Sequence, residues 1–366
     1  MFSNIYKDKK VLVTGHTGFK GSWLTTWLIK LGANVVGVSK DIPTNPSMFK
    51  ELKLEERIKH YQEDIRDLIK ISKIIVNEKP DFVFHLAAKA IVSKSYDNPL
   101  DTISSNVMGT TNMLEALRIS NHKSTAIIIT SDKAYDNIEQ VWGYKENDPM
   151  GGKDVYSGSK GAAELIFKSY YHSFFKSAKS NVRLAVARAG NVIGGGDWAK
   201  DRIVVDCIEA WSKKKSVEIR NPESTRPWQH VLEPLSGYLL LGQVLNNDES
   251  LNGEGFNFGP TAEQNHTVKE LLEDLSTYWG FENVDDSFTV KDNIPFHEAE
   301  LLKLNCDKAL FYFKWQGNMD YKDTIKFTGE WYYNFYNNDK NILDKTLSQI
   351  NEYEYMAKEK GLLWTE

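Results

Sequence analysis

A tyrosine and a lysine four residues apart, Tyr156 and Lys160, form a pair whose spacing suggests chemistry. Residues at positions i and i+4 share one face of a helix, so the phenol and the ammonium would be neighbours. A nearby ammonium favours the phenolate, which can take a proton from a substrate hydroxyl while hydride leaves the same carbon. Because the chain contains 17 tyrosines, this spacing also arises by chance. The surrounding segments must therefore decide its meaning.

Ser131, Asp132 and Lys133 follow an apolar segment about 25 residues before this pair. A hydroxyl residue beside the tyrosine is enough for an alcohol oxidation, whereas an adjacent acid and base also permit an elimination. Once one carbon is a ketone, the proton on the next carbon becomes acidic. A base can then remove it while an acid protonates a departing hydroxyl. The alternative interpretation is an ordinary polar turn after a strand.

Three glycines spaced three apart lie between the strand-like Val11–Val13 and a helical pattern over residues 22–31. Small residues are needed where a strand turns into a helix and the backbone approaches a pyrophosphate, which the helix N-terminus then binds. A purely structural turn would carry the same glycines, but the strand before and the helix after favour a dinucleotide site. The residues assigned to the cofactor from this turn are Gly15, Thr17, Gly18, Phe19 and Gly21.

Three other segments fit the same cofactor. An acidic side chain after the second strand could bind an adenine amino group, although a solvated charge cluster is the alternative. Small residues at a strand end would let the backbone pass the ribose, and an asparagine at a helix start is otherwise an ordinary cap. The residues assigned in this way are Asp64, Ile65, Ala87, Ala88, Lys89 and Asn106.

The choice between NAD and NADP depends on the end of the second strand, which carries an acid for NAD or a base for the NADP phosphate. This chain has Ser39-Lys40-Asp41 there, with both signs of charge. The local sequence leaves the choice open.

Apolar, β-branched runs alternate with helical patterns in the first half of the chain, which predicts a parallel sheet covered on both faces. The fold class is therefore α/β, a Rossmann-type doubly wound sheet with a smaller C-terminal substrate-binding lobe. We expect residues 1–190 to form the dinucleotide-binding domain and residues 191–366 mainly the lobe, with some strands returning to the first domain. The predicted strands are Val11–Val13, Val35–Val38, Asp81–Leu86, Ala126–Thr130 and Val182–Ala187.

The composition excludes several classes of protein. A formal net charge of −5 gives no electrostatic footprint for nucleic acid. Cys207 and Cys306 are too far apart for a disulfide framework or a zinc site, so no metal is expected. The polar start of the chain lacks the apolar stretch of a signal peptide, and no run approaches the ~20 apolar residues of a membrane span. We expect a soluble, cytoplasmic protein.

Together these motifs resemble those of the CDP-glucose 4,6-dehydratases, a bacterial family of the extended short-chain dehydrogenase/reductase (NAD-dependent epimerase/dehydratase) group. Two long blocks of unusual composition make the resemblance specific, and it extends from about residue 8 to about residue 330. The segments that carry it are Gly15–Gly21, Asn106–Thr110, Thr130–Lys133, Trp142–Tyr144, Glu146–Asp148, Arg188–Trp198, Arg220–Pro222 and Arg226–Tyr238.

The resemblance implies a hydro-lyase that keeps one NAD through the cycle and converts CDP-glucose to CDP-4-keto-6-deoxyglucose, a step toward the deoxysugars of lipopolysaccharide O-antigen. By position Tyr156 would be the base with Lys160 as its partner, and Ser131 would hold the carbon-4 hydroxyl. Asp132 would protonate the leaving water, and Lys133 would deprotonate carbon 5. Hydride returned to carbon 6 would complete the net loss of water. The residues assigned to the nucleotide sugar are Asn191, Arg202, Arg220, Arg226 and His230.

The chain departs from the family pattern after His85–Ala88, where relatives usually continue with glutamine and this chain has Lys89, with Ser93 further on. A lysine beside the nicotinamide could alter the substrate or the fate of the 4-keto product. The alternative function is thus a dehydratase or epimerase for a different nucleotide sugar. Members of the group commonly pair through a four-helix contact, so we expect a homodimer or higher homo-oligomer through the helices over residues 106–119 and 157–175.

Overall fold

The computed structural model describes residues 1–219, 221–261, 263–281, 283–290, 301–337 and 341–366. The strands are β1 Lys10–Thr14, β2 Asn34–Ser39, β3 Lys59–Gln62, β4 Phe82–His85, β5 Ser124–Ile129, β6 Val182–Ala189, β7 Val192–Ile193, β8 Val217–Ile219, β9 Thr225–Arg226, β10 Gln229–His230, β11 Gly255–Phe258, β12 His266–Thr267 and β13 Phe288–Val290. The α-helices are α1 Phe19–Lys30, α2 Met48–Glu51, α3 Leu68–Glu78, α4 Val92–Asp97, α5 Pro99–Ile103, α6 Gly109–Ser120, α7 Val155–Tyr170, α8 Ile203–Trp211, α9 Leu232–Asn247, α10 Val268–Ser276, α11 Asp307–Phe313, α12 Tyr321–Asn337 and α13 Ile342–Glu359.

Seven strands form one sheet in the order β11-β6-β5-β4-β1-β2-β3, and every neighbouring pair is parallel. The chain winds outward from β1 in one direction and from β4 in the other, so the order reverses between these two strands. Ligands of open α/β sheets bind at such a switch point, outside the carboxyl ends of the strands. The predicted α/β doubly wound fold is confirmed, and it places the site at the ends of β1, β4 and β5.

The sheet separates two hydrophobic cores, which explains why its central strands are apolar without interruption. In β5, Ala126 and Ile128 face one core with α3, α6 and α7, whereas Ile127 and Ile129 face the other with α1 and α9. Successive side chains of a strand point to opposite faces, so a strand covered on both sides needs apolar residues at every position.

The five predicted strands correspond to β1, β2, β4, β5 and β6, and the structure adds β3 and β11 at the two edges of the sheet. β11 brings the chain back from beyond residue 190 to pair with β6. The remaining short strands form three two-stranded pairs, β7 with β10, β9 with β12 and β8 with β13.

The C-terminal helices pack onto the first helix of the sheet domain. The Trp27 indole Nε1 donates to Glu354 Oε1 at 2.8 Å, and the Phe2 and Trp364 rings stack at 5.2 Å. The backbone N–H of Ser3 donates to the carbonyl of Glu366 at 2.7 Å, so the two ends of the chain meet. Buried aromatic side chains thus give the last forty residues a structural role against α1.

Candidate active site

Tyr156 and Lys160 lie on the first turns of α7, as their spacing predicts. Asp154 caps this helix through its carboxylate, which accepts from the Ser157 N–H at 2.9 Å. The Lys160 ammonium lies 5.8 Å from the centre of the Tyr156 ring. Both side chains are buried, so α7 holds the phenol and the ammonium side by side away from bulk water.

Burial dominates the ionisation of this pair. It raises the pKa of Tyr156 to about 12, although a hydrogen bond with Ser131 and the charge of Arg202 oppose the rise. Burial lowers the pKa of Lys160 to about 8, and the Glu164 carboxylate opposes that shift. The direction for Tyr156 is opposite to the one expected from the ammonium alone, because desolvation of the phenolate outweighs the neighbouring cations.

The Ser131 hydroxyl connects the phenol to a buried acid. Ser131 precedes a short 3-10 turn, Asp132–Ala134, just beyond β5. Its Oγ donates to Asp132 Oδ1 at 2.8 Å and also hydrogen-bonds the Tyr156 side chain. Asp132 is 5% exposed, and burial raises its pKa. A raised pKa favours the protonated form that a general acid needs.

A small cleft brings the predicted elimination residues together with two predicted substrate residues. Asp132 and Lys133 line it with Asn191, Arg226 and two apolar side chains, Pro227 and Leu302. Asn191 follows β6 and Arg226 lies in β9. The cleft therefore lies between the carboxyl ends of the sheet strands and the short strand β9.

The three other predicted substrate residues have different surroundings. Arg202 precedes α8 and donates to Asp197 Oδ2 at 2.6 Å, with its side chain about a third exposed. His230 is fully buried between the rings of Trp23 and Phe327, and burial lowers its pKa to about 3. The structure therefore places His230 in the hydrophobic core rather than along the cleft. Arg220 lies outside the described residues.

The glycine-rich turn has the geometry of a backbone cradle. Gly15 has a φ of +73°, and a Cβ there would come within 2.8 Å of the Ala87 nitrogen. A Cβ on Gly21 would lie 2.2 Å from the Gly15 carbonyl oxygen. Gly18 is the N-cap of α1 and no side chain caps this helix. Free N–H groups at a helix N-terminus bind anions, so the turn fits the pyrophosphate of a dinucleotide.

The Thr17 and Phe19 side chains face the protein. Thr17 Oγ1 donates to the carbonyl of Asp41 at 2.7 Å and so ties the turn to the end of β2. Phe19 is partly buried and packs against the core shared with α1 and α9. Of these two residues, only the backbone atoms therefore face the turn, and the side chains do not.

Asn106 organises the nicotinamide end of the predicted cofactor site. It is 2% exposed and lies in a π-helical turn, Ser104–Met108, rather than at a helix cap. Its Oδ1 accepts from the Lys89 N–H at 2.7 Å, and its Nδ2 donates to Ser159 Oγ at 2.9 Å. The asparagine thus fixes the loop after β4 against α7.

Asp64 and Ile65 lie after β3. Asp64 forms a bidentate pair with Arg66, which lowers the pKa of Asp64 to about 2. Ile65 is nearly buried, and its carbonyl accepts from Asn112. Asp64 is therefore an ionised carboxylate, paired with Arg66, in the segment that follows β3.

Comparisons with known proteins agree with this geometry. A family model described as GDP-mannose 4,6 dehydratase matches residues 12–328. The chain belongs to this nucleotide-sugar dehydratase family. A CDP-glucose 4,6-dehydratase from Salmonella typhimurium is 46% identical over 334 residues, covering 90% of this chain and 92% of that protein. The family resemblance found in the motifs is confirmed.

More distant members extend the comparison. A CDP-paratose 2-epimerase from Salmonella typhi is 27% identical over 354 residues, covering 88% of this chain and 98% of that protein. The solved dTDP-glucose 4,6-dehydratase from Streptomyces venezuelae, which has NAD bound, superposes with a TM-score of 0.75 at 19% identity, covering 88% and 96% of the two chains. This similarity is to the fold, and the predicted cofactor is the one in that complex.

Lys89 is the main departure from the family pattern, and its side chain has a defined partner. Its ammonium pairs with Asp101 at 2.9 Å, and Asp101 also pairs with Arg66. Ser93 Oγ donates to Asp201 at 2.6 Å. Both substituted residues thus make surface contacts of their own, and the backbone of Lys89 makes the contact with Asn106.

Lys20 is a cation of the glycine-rich turn that the sequence analysis did not assign. It lies inside the glycine-rich turn, and its ammonium donates to the Tyr238 hydroxyl at 3.3 Å. Its charge interacts with Lys160, Arg202 and Asp132. The signal was present in the sequence, since a lysine stands between the second and third glycines of the motif.

In the described part of the chain, no helix is long and apolar enough to cross a membrane, and no three acidic, histidine or cysteine side chains cluster in a way that could hold a metal ion. Cys207 and Cys306 are both free thiols.

Proposed function

We propose that this protein is an NAD-dependent CDP-glucose 4,6-dehydratase that forms CDP-4-keto-6-deoxyglucose. One observation carries the proposal: Ser131 links the Tyr156 phenol to the buried Asp132 carboxyl, and Lys133 lines a cleft together with Asp132. This group contains an oxidation base, an elimination acid and a second base within one site. The 46% identity to a CDP-glucose 4,6-dehydratase supports the choice of substrate.

In its phenolate form, Tyr156 takes the proton of the carbon-4 hydroxyl in the first step. When bound, NAD supplies the hydride acceptor for carbon 4 and the hydride donor for carbon 6. The residues that would hold it are the glycine turn at its diphosphate, Asp64 and Ile65 at its adenosine, and Lys160 with the Ala87–Lys89 loop at its nicotinamide riboside. Ser131 holds the reacting hydroxyl beside the phenol.

The elimination uses the neighbouring acid and base. Lys133, as the neutral amine, removes the carbon-5 proton, which the carbon-4 ketone has made acidic, and becomes an ammonium; the C5=C6 double bond forms as the C6–O bond breaks. Asp132 gives its proton to the departing oxygen, which leaves as water. Lys133 then returns its proton to carbon 5 as carbon 6 is reduced. Burial raises the pKa of Asp132, which favours the protonated form that this step uses.

The proton balance assigns Ser131 a second task. Each turnover leaves Tyr156 with one extra proton from oxygen 4 and Asp132 short of the one proton given to water. The cycle closes when the proton moves from the phenol to the carboxyl. The Ser131 hydroxyl bonds both groups, so it can pass the proton by accepting from Tyr156 and donating to Asp132.

The residues that would bind the nucleotide part of the substrate are Asn191, Arg202 and Arg226. A guanidinium matches the oxygens of a diphosphate in pairs, which makes Arg226 suited to the CDP group. The segment beyond residue 190 forms the substrate lobe in this proposal, and His230 makes no substrate contact in it because its side chain is buried among aromatic rings. Deoxysugar synthesis for O-antigen in the cytoplasm is part of the same proposal.

A homodimer through α6 and α7 is supported by apolar side chains that these segments expose. Ile119 of α6 is 52% exposed and Leu165 of α7 is 56% exposed. Light scattering of the purified protein measures the number of chains.

The proposal is tested by incubating the protein with NAD and CDP-glucose and identifying the product by NMR. We expect a 4-keto-6-deoxy sugar, and much slower reaction with the UDP, dTDP and GDP analogues. Tyr156→Phe should remove activity, whereas Tyr170→Phe, at the far end of the same helix, is the matched control. A product that keeps its carbon-6 hydroxyl would instead identify an epimerase.

A further inference from the structure

The turn Ser131–Lys133, which carries the proposed acid and base, is held at both flanks by buried hydroxyl groups. On one side, Thr130 donates from Oγ1 to Glu164 Oε1 at 2.6 Å. On the other side, the Tyr135 hydroxyl accepts from Arg188 Nη1 at 2.6 Å. Thr130 is 8% exposed and Tyr135 is 1% exposed, so bulk water competes little for either bond. Both flanks of the turn are therefore tied to charged side chains.

The two charged partners form one ion pair. Arg188 Nε donates to Glu164 Oε1 at 2.8 Å, and Nη2 donates to Oε2 at 2.5 Å. Arg188 lies in β6 and Glu164 in α7, and both side chains are buried. A bidentate pair of a planar guanidinium and a carboxylate has a fixed geometry. The hydroxyls of Thr130 and Tyr135 thus meet a single rigid anchor, the Glu164–Arg188 pair.

The anchor lies on the helix that carries the proposed base. Glu164 follows Lys160 by four residues and Tyr156 by eight, so the three side chains share one face of α7. The backbone of α7 also passes close to the turn, because a Cβ on Gly161 would lie 3.3 Å from the Ala134 carbonyl oxygen. The position of Glu164 relative to the turn is therefore coupled to that of Tyr156.

The Tyr135 hydroxyl is fixed from a second direction. It donates to Asn257 Oδ1 at 2.8 Å, and the Asn257 amide nitrogen donates to the carbonyls of Tyr144 and Asn305 at 2.9 and 3.0 Å. Asn257 lies in β11 and is fully buried. Tyr135 thus accepts from Arg188 and donates to Asn257 with the same hydroxyl, which leaves this flank of the turn little freedom to move.

The proposed chemistry depends on the distance between the turn and α7. Ser131 Oγ hydrogen-bonds the Tyr156 side chain and donates to Asp132 Oδ1 at 2.8 Å, so groups on two separate elements must meet within hydrogen-bond reach. Proton transfer requires that reach, and a displacement of about 1 Å can lower a rate by about 100-fold. A connection that fixes the turn against α7 should therefore contribute measurably to the rate.

We propose that the Glu164–Arg188 pair is a positioning element for catalysis, which keeps the Ser131–Lys133 turn in register with Tyr156. The hydroxyls of Thr130 and Tyr135 transmit this constraint to the turn. The inference rests on the proposed dehydratase function. Because the whole turn depends on the anchor, both the oxidation at carbon 4 and the elimination should slow when a hydroxyl is removed. Binding of the nucleotide group, which involves other side chains, should change little.

Thr130→Val tests the inference, since valine keeps the shape of threonine and removes the hydroxyl, while Glu164 keeps its pair with Arg188. We expect kcat for dehydration of CDP-glucose to fall by about 10- to 100-fold and KM to stay within about threefold. NADH formation from CDP-6-deoxyglucose, which has no carbon-6 hydroxyl to eliminate, measures the oxidation alone and should fall as well. Thr130→Ser, which restores the hydroxyl, should recover most of both rates.

Thr125→Val is the matched control, because it removes another buried hydroxyl from the opposite end of β5. Thr125 is 2% exposed and donates to Asn246 Oδ1 at 3.3 Å, and its loss should leave kcat unchanged. Tyr135→Phe removes the second hydroxyl of the turn and should lower kcat at unchanged KM. The double variant Arg188→Met with Glu164→Leu removes the anchor without leaving a buried charge, so its kcat should stay low even where its melting temperature is recovered.

Equal kcat in Thr130→Val and Thr125→Val would overturn the inference, and so would a higher KM at unchanged kcat, which indicates a role in substrate binding. A loss of kcat that Thr130→Ser does not reverse would also overturn it. A crystal structure of Thr130→Val in which Ser131 keeps its hydrogen bonds with Tyr156 and Asp132 would do so independently of any assay. Failure of the unaltered enzyme to dehydrate CDP-glucose would instead contradict the proposed function itself.

Discussion

Replacing Arg188 with methionine should destabilise the fold, because it leaves a buried carboxylate without its cation. Arg188 of β6 and Glu164 of α7 are each 5% exposed. Arg188 Nε donates to Glu164 Oε1 at 2.8 Å and Nη2 donates to Oε2 at 2.5 Å. In the variant the Thr130 hydroxyl, at 2.6 Å, remains as a donor to this carboxylate. Breaking a buried pair from one side costs about 3–5 kcal/mol.

This loss in the free energy of unfolding corresponds to a lower melting temperature, Tm. An unfolding entropy of about 2.1 cal/mol/K per residue, over 366 residues, converts this cost into a fall in Tm of about 4–6.5 °C. Thermal unfolding followed by circular dichroism measures it. Adding Glu164→Leu to the variant should recover most of the loss, since neither buried charge then remains.

Arg118→Met is the matched control, because the Arg118–Glu115 pair lies on an exposed face, with the arginine side chain 40% exposed. An exposed pair contributes about 1 kcal/mol or less. If Arg188→Met and Arg118→Met lowered the Tm equally, the reasoning from burial would be refuted. An unchanged Tm in the double variant relative to Arg188→Met alone would refute the view that the stranded carboxylate causes the loss.

Two further predictions follow from other buried groups. Burial raises the pKa of Glu233 from its ordinary value of 4.5 to about 7, so the folded state holds this proton more tightly than the unfolded state does. The free energy of unfolding should therefore fall by about 3 kcal/mol as the pH rises from about 4.5 to about 7. In Glu233→Gln, urea titrations should show a flatter dependence of this free energy on pH. A steeper slope in the variant would contradict this. Gly21→Ala should weaken NAD binding and lower the Tm, because its Cβ would lie 2.2 Å from the Gly15 carbonyl. Gly280→Ala is the control for NAD affinity: a Cβ there meets no atom within 4 Å, but its φ of +68° strains an alanine, so this variant should lose stability and keep its affinity for NAD. Equal NAD affinity in both variants would contradict the proposed cradle.

The central strands could be predicted from the sequence, and the edge strands could not. Ile127–Ile129 has apolar residues at consecutive positions because both faces of β5 are covered. β3, by contrast, is the polar sequence Lys59–Gln62 at one edge of the sheet, where its side chains are partly exposed. β11 lies at the other edge, and its pairing with β6 depends on how the chain returns after α9. Such a return is a tertiary property that local periodicity does not report.

The residues of the candidate active site also divide into those that the sequence could predict and those that it could not. Tyr156 and Asp132 could be predicted because the sheet fixes where α7 begins and where β5 ends. The contact of Lys20 with Tyr238 could not be predicted, since the two residues are 218 positions apart in the sequence. The family resemblance implied a substrate contact for His230, whereas the aromatic rings that surround it are brought together by the fold. The pairing of Lys89 with Asp101 depends on the loop conformation that Asn106 holds.

The central claim is that one active site oxidises carbon 4, eliminates water and reduces carbon 6 with the same hydride. The most direct measurement uses CDP-glucose carrying deuterium at carbon 4, incubated with the enzyme and NAD, and locates the label by NMR. The account predicts a 4-keto-6-deoxy product with the deuterium at carbon 6. A product without deuterium at carbon 6, or one that retains it at carbon 4 with the hydroxyl at carbon 6 intact, would contradict the account.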